Sequence, residues 1–311
     1  MASNINKTVI ILLASYNGSS YIEAQIDSII AQTYTNWQLY IRDDNSTDDT
    51  PKIIQNYSLR DKRIHILKDG KGNLKSSQNF NTLMTHCRDF GDYFMFCDQD
   101  DIWMPNKINE SFYAIKSIEK LHEPAICFGT YELIGKNGNK IEFSKINYDF
   151  GLNLKILIAM NYFYGCTMII NKSLLERCIE ISPNAENHDY WIALIAALSD
   201  AQYKYISKPL MYYRQHNNNV SGSYTDANFK NRFGRFFKNT EIIAIFNKFE
   251  MFQDALLSSS SFVSAEKKVF VENYITAFKK GRFFAFFFVI SKKIRKITVL
   301  STLNYYFSII R

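Results

Sequence analysis

Four short apolar segments, separated by three stretches of helical length and three of them followed by a polar cluster, limit what this chain can fold into more than any other feature. Val9–Ser15, Gln38–Asp44, Ile64–Lys68 and Tyr93–Cys97 are rich in β-branched and aromatic residues, as buried strands are. Between the first two, Ser19–Gln32 places Ile22, Ile26, Ile29 and Ile30 on one helical face. Asp48–Tyr57 has two acids in its first turn, Pro51 near its start and Ser46 or Thr47 as a candidate N-cap, and Lys75–Cys87 is a third helix. Strands linked by such helices require βαβ crossovers, so the expected fold class is α/β, with a mostly parallel sheet covered on both faces. Further along, Ala125–Ile134 and Lys140–Phe143 flank an Asn137-Gly138 pair, which predicts a hairpin and makes the sheet mixed.

Ligands bind such sheets at the carboxyl ends of the strands. Three polar clusters fall there: Ser15-Tyr16-Asn17, Asp43-Asp44-Asn45-Ser46 and Asp98-Gln99-Asp100-Asp101. The second alone reads equally well as a turn and cap. The third is different, because carboxylates packed at the end of a buried strand repel one another and a divalent cation relieves that repulsion. Asp98 and Asp100 are therefore the candidate ligands for Mn²⁺ or Mg²⁺ shared with a diphosphate. A further cluster, Glu186–Trp191, opens the apolar helix Ile192–Leu198. An Asp at a helix start is ordinarily a cap. Here His188, Tyr190 and Trp191 suit a wall that holds a sugar, so Asp189 is a candidate general base. Arg214 and His216, in Tyr212–Asn217, are candidates to face the diphosphate or the metal. No phosphate-binding Gly-x-x-x-x-Gly-Lys-Ser/Thr loop, Gly-x-Ser-x-Gly elbow or His-Glu-x-x-His pair occurs.

These runs resemble, in order and spacing, the bacterial family 2 glycosyltransferases of the GT-A fold. The resemblance is carried by Val9–Asn17, Gln32–Trp37, Ile41–Asp48, Asp98-Gln99-Asp100-Asp101-Ile102-Trp103, His188-Asp189-Tyr190-Trp191 and Tyr213–Asn219, and covers roughly residues 7–222. The Asp-Gln-Asp-Asp-Ile-Trp, His-Asp-Tyr-Trp and Tyr-Arg-Gln-His-Asn-Asn-Asn versions look most like the rhamnosyltransferases of O-antigen, capsule and rhamnan synthesis. The resemblance implies that Ala14, Tyr16, Asn17, Asn79 and Asp98 line the nucleotide pocket and that Asp44 contacts the base. It implies Asp98 and Asp100 as metal ligands, with Asp100 the more direct, Asp189 as the catalytic base, and Arg214 and His216 beside the diphosphate. Trp103, Gly165, His188 and Trp191 are the candidates for sugar contacts. Many members carry Arg-Asn where this chain has Gln78-Asn79, which removes a cationic contact to the nucleotide. The implied function is inverting, metal-dependent transfer of L-rhamnose from dTDP-L-rhamnose to a lipid-linked cell-surface glycan. The alternatives are a UDP-hexose or UDP-N-acetylhexosamine donor, and a non-catalytic sugar-nucleotide or glycan-binding scaffold.

The remainder of the chain has another character. Residues 1–227 carry 22 Lys/Arg against 25 Asp/Glu, whereas 228–311 carry 15 against 5 together with sixteen Phe. The expected organisation is a catalytic domain over 1–225 and a helical basic-aromatic region over 226–311. Segments such as Phe229–Phe237 and Lys279–Lys296 interleave Phe with Lys and Arg, which suits an anionic membrane surface, intramolecular packing or a homodimer better than nucleic acid. On this reading, deleting 228–311 releases the protein from anionic vesicles. The longest apolar run, Phe283–Ile290, is far below the roughly 18 residues of a membrane span. Met1–Ser15 lacks the basic and cleavage regions of a signal peptide, so the expected location is cytoplasmic, peripheral on the inner face of the cell membrane. Five cysteines without a Cys-x-x-Cys pair predict free, buried thiols.

Overall fold

The computed structural model describes residues 7–141, 149–216 and 240–310. The boundary expected near residue 225, the Asn217–Asn219 run, Phe229–Phe237 and Phe143 lie outside them.

A seven-stranded sheet forms the body. Its parallel centre is β4 (Tyr93–Asp98), β1 (Val9–Ser15), β2 (Trp37–Asp43) and β3 (Ile64–Ile66), in that order. Beyond β4, the antiparallel β9 (Ile169–Asn171) joins it to β6 (Ala125–Gly129), and β10 (Gln202–Ile206) closes the edge parallel to β6. β1 is apolar on both faces because both are covered. Val9, Ile11 and Leu13 enter the core that includes α1 (Ile22–Ile30), whereas Ile10 and Leu12 enter the one that includes α3 (Lys75–Cys87) and α7 (His188–Leu198). α2 (Thr50–Arg60) and α4 (Lys107–Lys116) lie with α1, whereas α5 (Leu154–Leu157) and α6 (Lys172–Cys178) lie with α7.

Two expectations are corrected. Ala125–Ile134 is not one strand: the chain leaves the first sheet after Gly129, where a Cβ would stand 2.9 Å from the Ile206 carbonyl. It then forms β7 (Glu132–Ile134) in a second sheet, ordered β5 (Ile102–Trp103), β11 (Met211–Arg214), β7 and β8 (Lys140–Ile141). The Asn137-Gly138 hairpin does join β7 to β8, with Gly138 at φ 85°. The second correction concerns α2, which begins after Asp49 with no side-chain cap, because Ser46 and Thr47 are engaged elsewhere on the rim.

After the second sheet come α8 (Thr240–Ser258), α9 (Ala265–Lys280), α10 (Arg282–Ser291) and α11 (Val299–Ile310). Phe252, Ala255, Tyr274, Phe278, Val289 and Tyr305 belong to the same buried cluster as α7 and the β1 face. The tail helices and the sheet share one core. α7 is consequently enclosed on every side, with Tyr190 through Leu198 all buried. The five cysteines are free and buried. Among the described residues no helix is long and apolar enough to cross a membrane.

Candidate active site

Backbone register places the three polar clusters together: Ala14 lies opposite Asp98 on one side and Arg42 on the other, at the carboxyl ends of adjacent strands. The loop after β1 is tied to both neighbours. Towards β4, the Tyr16 N–H donates to Gln99 Oε1 at 2.9 Å while Gln99 Nε2 donates to the Tyr16 carbonyl at 2.9 Å. Towards β2, the Asn17 N–H donates to Ser46 Oγ and the Thr47 N–H to Asn17 Oδ1, each at 2.8 Å. Asn17 and Asn45 take left-handed conformations that asparagine tolerates, φ 47° and 68°. The Tyr16 ring remains half-exposed.

Behind this rim Arg42 is buried and organises the next loop. Its Nη1 donates to Asp44 at 2.6 Å, its Nε to Asp69 at 3.0 Å, and its Nη2 to the carbonyls of Lys71 and Gly72. Asp44 also accepts from the N–H groups of Leu74 and Lys75. Both of its oxygens are thus engaged in holding the segment that leads into α3. Asn79 is buried on α3 and donates to the Arg42 carbonyl, and Gln78 donates to the Ile181 carbonyl.

The acidic loop after β4 divides its carboxylates. Ligand atoms of Asp98, Asp101 and Cys166 lie within 4.8 Å of one another. Burial, then the Asp100 and Asp189 charges, push the Asp98 carboxyl up to about 7. Asp101 is raised well above the usual range, by burial first and by Asp100 and Asp98 next. Its Oδ1 accepts from the Arg214 N–H at 3.2 Å, and its Oδ2 is buried with no hydrogen-bond partner among the described residues. This crowding of hard oxygen donors fits a divalent cation such as Mn²⁺ or Mg²⁺. The Cys166 thiol, kept protonated by burial, contributes little to such an ion. Asp100 turns the other way: its Oδ2 meets His216 Nε2 at 2.7 Å, and the His216 ring stacks on Tyr21. Arg214 donates through Nε to the Asp100 carbonyl at 2.8 Å and through Nη1 to the Lys136 carbonyl at 2.9 Å. It binds the second sheet to the acidic loop.

Asp189 sits in the first turn of α7. Asn161 Nδ2 donates to its Oδ1 at 3.0 Å and the Gly165 N–H to its Oδ2 at 3.3 Å, while desolvation raises its carboxyl to about 6. His188 lies beneath Gly165, stacked on Phe80 with centroids 3.9 Å apart, and burial lowers it to about 3, so it is neutral. A Cβ on Gly165 would stand 2.3 Å from His188 Nε2, so that position accepts glycine alone. The aromatic wall is corrected. Trp191 and Tyr190 are fully buried, the Trp191 indole donating to the Cys178 carbonyl, and Trp103 is buried with Lys107 over its ring. None of the three presents a ring to solvent.

Sequence reasoning overlooked Gln99, Arg42, Asp101 and Asn161. Gln99 and Asp101 lie inside the acidic motif and could have been found there; nothing local marks Arg42 or Asn161.

The arrangement of these strands and helices is shared with solved structures. Staphylococcus aureus TarS 1–349 in complex with UDP-GlcNAc superposes with a TM-score of 0.60 at 16% identity, covering 97% of this chain and 79% of that one. The fold is GT-A. A family model described as glycosyl transferase family 2 matches residues 10–179, more than half of the chain, and the chain belongs to that family. The dTDP-rhamnosyl transferase RfbG of Shigella flexneri is 29% identical over 72% of this chain and 77% of its own length. The Escherichia coli UDP-Glc:alpha-D-GlcNAc-diphosphoundecaprenol beta-1,3-glucosyltransferase WfgD is 30% identical over 60% of this chain and 69% of its own. The chain spans about a third of the length of two Rickettsia glycosyltransferases that it also matches, 31% and 32%.

Proposed function

We propose that this chain is an inverting glycosyltransferase that moves L-rhamnose from dTDP-L-rhamnose onto a lipid-linked cell-surface glycan at the cytoplasmic face of the cell membrane. The observation that carries the reading is the pairing of Asp189 with the acidic loop. A partly buried carboxylate, raised but oriented by Asn161 and Gly165, sits close enough to Asp98 for the two charges to interact.

Asp189 accepts the proton of the acceptor hydroxyl as that oxygen attacks the anomeric carbon. The bond from that carbon to the diphosphate oxygen breaks on the opposite face, and the nucleoside diphosphate leaves with the bonding electrons. A positioned base of this kind contributes about 10²–10⁴ in rate. Asp98 and Asp101, with Asp100 beside them, would hold a divalent cation, which when bound supplies positive charge to the departing diphosphate. The stitched rim at Tyr16 and Asn17 receives the nucleotide, and Asp44 with Asn79 shapes the base side of that pocket. Trp103, Trp191 and His188 support this pocket from the core, so sugar contacts fall to Gly165 and the loop around Tyr162.

A second reading, a UDP-hexose donor, is favoured by likeness to the WfgD glucosyltransferase. The test is nucleotide release by the purified protein from dTDP-rhamnose, UDP-glucose, UDP-N-acetylglucosamine and GDP-mannose, with and without Mn²⁺ or Mg²⁺. Metal-dependent release from dTDP-rhamnose alone is expected, and its loss in Asp98→Ala. Release from a UDP-sugar instead selects the second reading. Calorimetric donor binding without turnover, even with lipid-linked acceptor present, makes the chain a scaffold.

A further inference from the structure

α10 and α11 each bury one side and leave an apolar stripe on the other. On α10 the buried side is Ala285 and Val289, while Phe283, Phe284, Phe287 and Ile290 are exposed, Phe283 by 71% and Phe287 by 67%. On α11, Tyr305 and Ile309 are buried and Val299, Leu300, Leu303, Phe307 and Ile310 are exposed, Val299 by 79%. The spacing of three and four residues in both stripes is that of a single helical face. The two helices pack against each other. An apolar surface of this extent is not left open to water without a use.

The charges around it select the occupant. Residues 273–311 contain eight Lys/Arg and no Asp/Glu. Lys279, Lys280, Arg282, Lys292, Lys293 and Arg295 are all exposed, and among the described residues none of them is in an ion pair. A second copy of the same surface would bring like charges together with no acid to offset them. An anionic bilayer supplies both the hydrocarbon for the Phe and Leu side chains and the negative headgroups for the Lys and Arg.

We infer that α10 and α11 form a bilayer-docking face that inserts its aromatic stripes among the acyl chains of anionic lipid and seats its lysines and arginines in the headgroup layer. This rests on the membrane-side acceptor of the proposed function and names the surface and lipid which that acceptor requires. The expected Lys/Arg contribution falls with salt, whereas the apolar contribution does not.

The test is co-sedimentation of the full chain with phosphatidylcholine vesicles, with and without phosphatidylglycerol. The wild-type protein is expected to bind the phosphatidylglycerol vesicles. Binding is expected to fall about tenfold or more in Phe283→Ser/Phe287→Ser/Phe307→Ser and in Lys292→Glu/Lys293→Glu. Both variants change exposed positions, and an unchanged circular dichroism spectrum and donor nucleotide release verify their folding. That release assay contains no lipid, so it reports on the transfer reading separately from docking. Failure of the wild-type protein to bind phosphatidylglycerol vesicles, or equal binding by the variants, overturns the inference. A wild-type dimer that becomes monomeric in the Phe variant, without vesicle binding, overturns it in favour of a second copy.

Discussion

As the proposed base, Asp189 combines two demands that conflict: a base must be ionised to work, yet the first turn of a buried helix disfavours the charge. Its carboxyl is raised from 3.8 to about 6 by burial, against the opposing hydrogen bonds of Gly165, Tyr190 and Asn161. Two outcomes follow from that sign. Turnover should decline as pH falls through about 6, with kcat/KM against pH as the measurement, and a profile flat down to pH 4 would assign the base elsewhere. Because the folded state holds this proton more tightly than the unfolded chain, the group's contribution to stability is greatest below pH 4 and is lost as pH rises towards 6. Asp189→Asn should therefore raise Tm relative to the wild type more at pH 8 than at pH 4, while lowering turnover about 10²–10⁴-fold. Differential scanning fluorimetry at the two pH values decides the first part. The residue types at this site were legible in the sequence. Their orientations were not, because an Asp-Tyr-Trp run does not reveal which side chains a helix turns inward, and here both aromatics go to the core.

The loop after β1 shows what an element adds to a motif. Gln99, between two metal-type aspartates, reads in sequence as a spacer. In space its amide makes both hydrogen bonds of a short backbone pairing with Tyr16. Gly18 lies under the same amide, where a Cβ would stand 2.1 Å from Gln99 Oε1. Gln99→Ala should weaken donor binding by roughly 1–2 kcal/mol through loss of the clamp. Gly18→Ala should do the same by displacing the amide, and the double variant should lose no more than Gln99→Ala alone. Calorimetric titration of donor nucleotide measures all three; full additivity would mean that the two positions act separately. Strand and helix periods foretold the parallel centre of the sheet nearly residue for residue, since β1 to β4 are local patterns. The split between β6 and β7 escaped, because it is imposed by a close approach of Gly129 to β10, some 75 positions later in the chain.

At the scale of the molecule, the C-terminal helices and the sheet share one core, which is the intramolecular packing that the sequence left open. Phe252 packs edge-on to Tyr190, and Tyr274 contacts Phe252 and hydrogen-bonds Tyr305. Phe252→Ala should cost about 3–5 kcal/mol in denaturant unfolding, in one transition shared by both parts of the chain. Two separated transitions would make the C-terminal region a separate folding unit. For the same reason, deletion of 228–311 exposes the back of α7 and tests folding rather than membrane release, so point changes on the exposed stripes are the better experiment. The composition of the tail was plain in the sequence. Which of its sixteen Phe face inward was not, since basic-aromatic interleaving is compatible with either side.

The complete enclosure of α7 also bears on how this scaffold can change. A helix gripped by the sheet on one side and by the tail on the other serves as a fixed datum, and the carboxylate at its first turn keeps its place whatever sugar arrives. New donors and acceptors are then accommodated by remodelling the loops that bring them to that datum. An engineer who wishes to alter what is transferred should vary the loops and leave the helix alone.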